Sequence, residues 1–318
     1  MVKEKFSNNI QRISKDWRAY LFVLPSLLLV LVFSYFPAYS AIYHSFYDWN
    51  GADIEKFIGL DNFRRAFTDG VLGRSFIVIL ILVLANFVKM VPSIAVSVVI
   101  HRLKRENWQY LYRVLFVIPM IIPGIVWLLI WKFFFDPTFG ILNKVLEVTG
   151  VMSLLQWIDS LAGWGLFVEG VDPAWLSTPQ LIVPALIIWG FPWVGVVGVL
   201  IYLAGLSSIG TEVYEAAEID GIGWFRKFLN IELPLIMTQV RLNAALMIIN
   251  TLKSYGLVLV LLGVSGGPAG AGMVPGLYMF RKAFVDQEAG YACAIGLLIF
   301  ALILVLTWIN NKYMRVDH

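Results

Sequence analysis

Apolar residues run for twenty or more positions six times along this chain, and polar clusters separate the runs. The runs lie at about 20–43, 76–100, 114–135, 181–206, 236–262 and 290–310. Hydrocarbon about 30 Å thick is crossed by roughly 20 helical residues, so each run predicts one transmembrane helix. The expected fold class is an all-α membrane protein with six spans. A cleaved signal peptide needs a short apolar core and a small-residue cleavage site. The first run instead continues through Leu27–Phe33 to Tyr43, which predicts an uncleaved span.

Composition agrees. Hydrophobic residues make up 59% and charged residues 14% of the 318 positions, against roughly 25% charged in soluble domains. Basic residues at the span borders then set the sidedness. Lys3, Lys5, Arg12, Lys15 and Arg18 precede the first span, the turn His101–Arg105 is basic, and Lys312 and Arg315 follow the last span. Segments 44–73 and 136–180 are acidic by comparison. This alternation places both termini in the cytoplasm. It divides the chain into a cytoplasmic tail (1–19), a transmembrane domain (20–312) with an outer loop at 136–180 and a cytoplasmic loop at 211–234, and a second cytoplasmic tail (313–318). Trp157, Trp164 and Trp175 of the outer loop suit either interfacial anchoring or a small cap.

The cytoplasmic loop between spans four and five is the most informative segment. Four carboxylates fall between Glu212 and Asp220, and anionic leaflets attract Lys and Arg rather than acids. A docking element for another protein is the better reading. Thr211 is placed to cap a short helix, with Glu212 and Glu215 at its positive end. Ala216 and Ala217 offer a small face for close approach. Asp220-Gly221-Ile222-Gly223 ends that helix in a turn. A second short helix runs from Trp224 to Phe228, and Leu233-Pro234 opens span five.

Polar groups inside spans mark candidate solute contacts, because each is costly in lipid. Span two carries Asn86 and Lys89. Span five carries Asn243, Asn250 and Ser254 on one face, with Thr251 and Tyr255 on the next stripe and Lys253 beside them. Span four contributes the kinked cluster Trp189-Gly190-Phe191-Pro192-Trp193. Aromatic rings against sugar C–H faces, with amides and hydroxyls for sugar hydroxyls, suit transient binding. Lys89 and Lys253 suit an anionic sugar or a phosphate group. Ala292 and Gly296 in span six form a small-xxx-small pair suited to close helix packing.

Several classes are disfavoured. No Gly-rich phosphate loop ending in Lys and Ser/Thr occurs, no His or Cys cluster suggests a metal, and the single Cys293 lies in an apolar stretch as an inert packing residue. The chain is expected to have no catalytic residue and no cofactor of its own, and nothing points to nucleic acid. The rival from another class is an ion-coupled secondary sugar carrier. Such carriers place Asp or Glu within spans, and the six runs contain neither. No internal repeat is visible either, which disfavours carriers built from two repeats.

Glu215-Ala216-Ala217, Asp220-Gly221, Ile231 and Leu233-Pro234 together resemble the "EAA" loop of permease subunits of bacterial ABC importers. Gly223 and Thr238 depart from that pattern. Phe22-Val23-Leu24-Pro25-Ser26, Phe57–Phe63, Gly140-Ile141-Leu142-Asn143, Leu203-Ala204-Gly205-Leu206 and Gly266-Gly267-Pro268 resemble the carbohydrate-uptake permeases, and within them the first subunit of the pair. The resemblance implies a multi-pass protein of the bacterial plasma (inner) membrane. It also implies a second homologous permease, two copies of a cytoplasmic ATPase using ATP and Mg, and an extracytoplasmic sugar-binding protein. Glu215, Ala216, Ala217, Asp220, Gly221, Gly223, Leu233 and Pro234 are then the ATPase-coupling residues. The spans hosting Asn86, Lys89, Trp189, Phe191, Trp193, Asn250, Thr251, Lys253, Ser254 and Tyr255 form the solute path.

Overall fold

The computed structural model describes residues 17–53 and 55–313. Lys3, Lys5, Arg12, Lys15 and Arg315, on which the sidedness argument leaned, lie outside the described residues, as does most of both tails. Helix α1 (Trp17–Val30) continues through a π-turn at Leu31–Tyr35 into α2 (Phe36–His44). Its side chains from Leu21 to Phe36 are exposed on all sides, as expected of a helix solvated by lipid or covered by another chain. A two-stranded antiparallel ribbon follows, β1 (Tyr47–Trp49) and β2 (Glu55–Phe57), with Tyr47 opposite Phe57. After α3 (Asp61–Thr68) comes α4 (Gly70–His101), a 32-residue helix that packs along most of the molecule.

Among the described residues three helical stretches are long and apolar enough to cross a membrane unaided: Leu21–His44, Gly70–His101 and Ala289–Tyr313, the last being α17. The expected third, fourth and fifth spans are not single helices. The third bends by 87° between α5 (Glu106–Val117, extended by a 3-10 turn to Ile121) and α6 (Gly124–Phe134), where Pro119 and Pro123 interrupt the amide ladder. The fourth breaks between α9 (Pro179–Ile188) and α10 (Val196–Ser207). The fifth ends as α14 (Met237–Lys253), turns through Ser254 and Tyr255, and resumes as a short helix, α15 (Gly256–Leu262).

Segment 136–180, expected as a loop, is largely helical: α7 (Ile141–Val148) and α8 (Val151–Ala162) meet at 87°. The small cap, one of the two readings of its tryptophans, is what Trp175 joins. It is buried with Trp131, Phe135, Leu142 and Phe167, and its indole N–H donates to Asn143 at 2.7 Å. Buried Asp159 closes the cap by accepting from the amides of Gly165, Leu166 and Phe167. Trp157 and Trp164 remain exposed.

A polar brace joins the ends of four elements on the side of the ribbon. Asp69 caps α4 through the amides of Val71 and Leu72. It also accepts from the hydroxyls of Tyr278 in α16 (Pro275–Phe284) and Tyr291 in α17. Arg65 of α3 donates both contacts to Glu288 at 3.0 and 2.8 Å, and Lys282 reaches Asp286 and Glu288 at 2.9 Å each. Gly296 of the small pair lies close to α16, where a Cβ would sit 3.2 Å from the Met279 sulfur.

Burial would raise the carboxyls of Asp69 and Glu288. Hydrogen bonds outweigh it, from Tyr278 and Leu72 to Asp69 and from Lys282 and Arg65 to Glu288, so both titrate below their usual range. Asp286 is lowered in the same way by Lys282. Carboxyls depressed in the folded state contribute stability that is complete above about pH 4 and is lost as pH falls through their lowered values. The melting temperature in detergent is therefore expected to drop on acidification below that range. Glu288→Gln should show a shallower acid limb in the same melting series.

Candidate functional site

The break in the fourth span is built by sequence. Pro184 interrupts α9 from within, Gly190 takes φ +81°, and Trp193 takes φ 60°, a left-handed conformation uncommon for a non-glycine residue. Backbone groups freed at membrane depth need partners inside the protein. Helix α4 supplies several. The Ser93 hydroxyl donates to the Trp193 carbonyl at 3.3 Å and accepts from the Gly195 amide at 2.9 Å. Lys89 approaches the carbonyls of Leu186 and Trp189, each at 3.4 Å. One turn on, Ser97 donates to the Val199 carbonyl at 3.2 Å. Gly198 lets α10 come close: a Cβ there would sit 3.1 Å from the Asn243 amide and 3.6 Å from the Ser93 Cβ.

Beside this break lies a cavity of about 430 Å³, within the size range of small-molecule sites. Asn86, Lys89 and Trp193 line it, joined by Ser93, Asn243 and Met247 among others. Asn86 donates to the Thr251 hydroxyl at 2.9 Å, and Asn243 to the Tyr202 hydroxyl at 2.6 Å. These bonds clamp α4 and α10 onto α14.

The other expected residues lie elsewhere. Asn250 and Ser254 continue the stripe of Asn243 and Met247 beyond the cavity as exposed groups, and Lys253 is exposed beside them. The Trp189 ring packs toward Trp131 at 6.5 Å and does not line the cavity. Phe191 is largely exposed, edge-on to Trp193 at 5.3 Å. Tyr255 turns away to stack on Phe280 at 5.2 Å. Ser93 escaped the sequence reading because a lone serine in an apolar run is a weak signal. Its spacing of four from Lys89 and Ser97, one face of a helix, was the available hint.

The acidic loop forms a bent unit at one end of the molecule. Helix α11 (Thr211–Ile219) meets α10 at 74°. Its N-cap is Gly210 and no side chain caps it, so Thr211 is the first helical residue rather than the cap. Its C-terminus is a Schellman motif: Gly221 at φ +66° donates to the Glu218 carbonyl and Ile222 to the Ala217 carbonyl. No atom crowds Gly221, so its conformation, not space, demands glycine. Next come α12 (Trp224–Lys227), a π-turn to Glu232, and α13 (Leu233–Leu235) with Pro234 in its first turn. This arm meets α14 at 69°.

Glu215, Ala216, Ile219 and Asp220 are exposed, with Ile219 at 87%, and Trp224 and Phe225 extend that surface. Ala217, expected on the approach face, is instead buried against the body at 2%. The unit is bolted to α4. Glu232 is fully buried and receives a two-pronged contact from Arg102 at 2.9 and 2.6 Å, while Arg102 also donates to the Trp224 carbonyl and lies 4.6 Å from the Trp224 ring centre. His101 pairs with the Tyr214 hydroxyl at 3.1 Å. Neither Arg102 nor Glu232 was singled out as functional in sequence. Arg102 served as a sidedness marker and Glu232 lies between Ile231 and Leu233 of the loop pattern, and only folding brings them together over 130 residues.

Residues 79–313 match the family of binding-protein-dependent transport system inner membrane components. The chain belongs to that family. It is a permease subunit of the ABC-importer type, and an inner-membrane protein by family. The diacetylchitobiose uptake system permease protein NgcF of Streptomyces coelicolor is 30% identical over 293 residues, covering 88% of this chain and 77% of that protein. The multiple sugar-binding transport system permease protein MsmF of Streptococcus mutans is 26% identical, covering 96% and 98%. The maltose/maltodextrin permease MalF of Salmonella typhimurium is 31% identical over 81% of this chain and 49% of that protein. The fold is shared with a bacterial ABC transporter involved in import of the acidic polysaccharide alginate, at a TM-score of 0.74, 20% identity, and 96% and 97% coverage.

Ser93→Ala removes both bonds that close the break. It should lower the permease's stability by about 1–3 kcal/mol, the cost of leaving buried groups unpaired. A thermal melt of the purified protein beside the wild type reads this directly.

Proposed function

We propose that this permease forms half of the path of an ATP-driven importer for a saccharide, with the α11–α12 elbow as the handle that a cytoplasmic ATPase moves. The sugar assignment draws support from the substrates named for the relatives. The observation that carries the mechanism is the Arg102–Glu232 pair. It joins the elbow to α4, the helix that presents Asn86, Lys89 and Ser93 at the cavity.

The exposed elbow surface mixes Glu215 and Asp220 with Ile219, Trp224 and Phe225, the blend of aromatic centre and polar rim found at protein interfaces. It suits a groove on an ATPase subunit, which supplies the ATP and Mg chemistry. A second permease would complete the conduit along the exposed stripe of Asn250, Lys253 and Ser254, and a binding protein would deliver solute at the ribbon side. Closure of two ATPase subunits then pulls the elbow. Because the elbow is bolted to α4, the stroke reaches the cavity and the broken fourth span, and access alternates between the two sides. This reading puts the elbow and both termini in the cytoplasm, and makes an ion-coupled carrier unnecessary.

Removing one partner of a buried pair strands the other charge and costs about 3–5 kcal/mol. Arg102→Glu and Glu232→Arg should each uncouple ATP hydrolysis from uptake in proteoliposomes, and the double exchange should restore coupling in part. Equal coupling in all three would contradict the role. Trp193→Ala with Asn250→Ala tests the path separately. Uptake should fall by roughly tenfold or more, the effect of losing over 1.4 kcal/mol of binding, while the complex still assembles.

A further inference from the structure

Lys89 is the one charged side chain on the cavity wall among the described residues. Its ammonium lies 3.4 Å from two carbonyl oxygens and 5.8 Å from the centre of the Trp193 ring. Carbonyl dipoles and a ring face solvate a cation without neutralising it. No carboxylate lies within ion-pair distance of Lys89 among the described residues. None is available nearby in sequence, because 76–100, 181–206 and 236–262 contain no Asp or Glu.

A second lysine, Lys253 on α14, lies outside the cavity but near it along the helix axis. The Asn86–Thr251 bond sets α4 beside α14, and the contact between Arg102 and Glu232 at the other end makes the two helices antiparallel. Lys89 follows Asn86 by three residues and Lys253 follows Thr251 by two. At 1.5 Å per residue the two lysines flank that bond about 7–8 Å apart along the axis. Lys253 is exposed and likewise has no ion-pair partner among the described residues.

The path therefore carries one sign of charge. Low-dielectric walls concentrate the field of such a surface and enrich its counter-ion. Trp193 adds to this picture. Its left-handed backbone costs energy that surrounding contacts must offset, a strain that clusters at ligand sites, and its buried indole N–H has no acceptor. Asn86 and Asn243 spend amide hydrogens on Thr251 and Tyr202, which leaves their carbonyl oxygens to accept from sugar hydroxyls.

We propose that the saccharide passed by this permease is anionic, with its carboxylate or phosphate group received by Lys89 at the cavity and by Lys253 on the adjoining open stripe. The proposal rests on the importer reading and narrows its substrate class.

The test uses the assembled permease–ATPase complex in nanodiscs without binding protein, so that the membrane site alone reads the solute. Digalacturonate, a disaccharide phosphate and neutral digalactose are compared by equilibrium dialysis. At least one anion should bind roughly fivefold tighter than digalactose, as one partly exposed ion pair of about 1 kcal/mol provides. The preference should shrink as salt rises. Lys89→Gln should abolish it and Lys89→Arg should keep it, and the stronger anion tells carboxylate from phosphate.

Equal binding of all three sugars, binding of none, or a preference that survives Lys89→Gln overturns the proposal. So does loss of the partner permease from the Lys89→Gln complex, which would assign the counter-ion to a partner carboxylate. Capture of the ATPase by the permease prepared without it, assayed separately and without sugar, keeps the two readings apart. Capture together with a neutral preference defeats only the charge assignment, whereas no capture defeats the importer reading itself.

Discussion

A helix interrupted inside hydrocarbon leaves amides and carbonyls that lipid cannot satisfy, and the architecture of this permease turns on who satisfies them. At the fourth span the answer is α4. Ser93 and Lys89 reach across to the freed groups around Trp193, and Ser97 continues the seam. An unpaired buried backbone group costs several kcal/mol in lipid. The break and α4 are therefore obligate partners, and the space left beside them is the cavity. The same helix ends at Arg102, whose two-pronged contact with Glu232 fixes the elbow. One helix thus holds the interrupted span, the cavity wall and the handle.

Buried ion pairs are poor sources of net stability, since desolvation consumes most of the Coulombic gain. What the Arg102–Glu232 pair gives is geometry. A planar guanidinium held by two carboxylate oxygens, a carbonyl and an indole face has little freedom to swivel. Under the proposed function, a displacement of the elbow would pass into α4 as well as into the neighbouring α10 and α14. The polar brace around Asp69 and Glu288 plays the matching part at the opposite end, where α3, α4, α16 and α17 meet.

Hydrophobic runs revealed that the chain is helical and membrane-sized, and the loop pattern at Glu215–Pro234 revealed the elbow, including the turn at Gly221. Broken spans were harder to read. Hydropathy averages over 254–256 and 189–195 as readily as over a helix, because Trp, Phe, Val and Tyr are apolar in any conformation. Pro119, Pro123 and Pro192 were the warnings. Segment 136–180 was read as a loop because its acids dilute the apolar signal, although Asp159 and Asn143 are structural groups inside the cap. Of the solute-path candidates, Asn86, Lys89 and Trp193 come together in one cavity, while Tyr255 and Trp189 pack elsewhere. Spacing on one helix places residues on a face, but which face meets which neighbour depends on breaks the pattern does not encode.

The central claim is that elbow and α4 move as one body, and distances between spin labels test it most directly. In a Cys293→Ser background, exposed Ile219 on the elbow is labelled together with exposed Val99 on α4, or with exposed Trp164 on the cap of residues 136–180. Distances are measured by pulsed electron resonance in the full complex, with and without a non-hydrolysable ATP analogue. The account predicts an unchanged Ile219–Val99 distance and a shifted Ile219–Trp164 distance. An elbow that shifts against Val99 when nucleotide binds would contradict it.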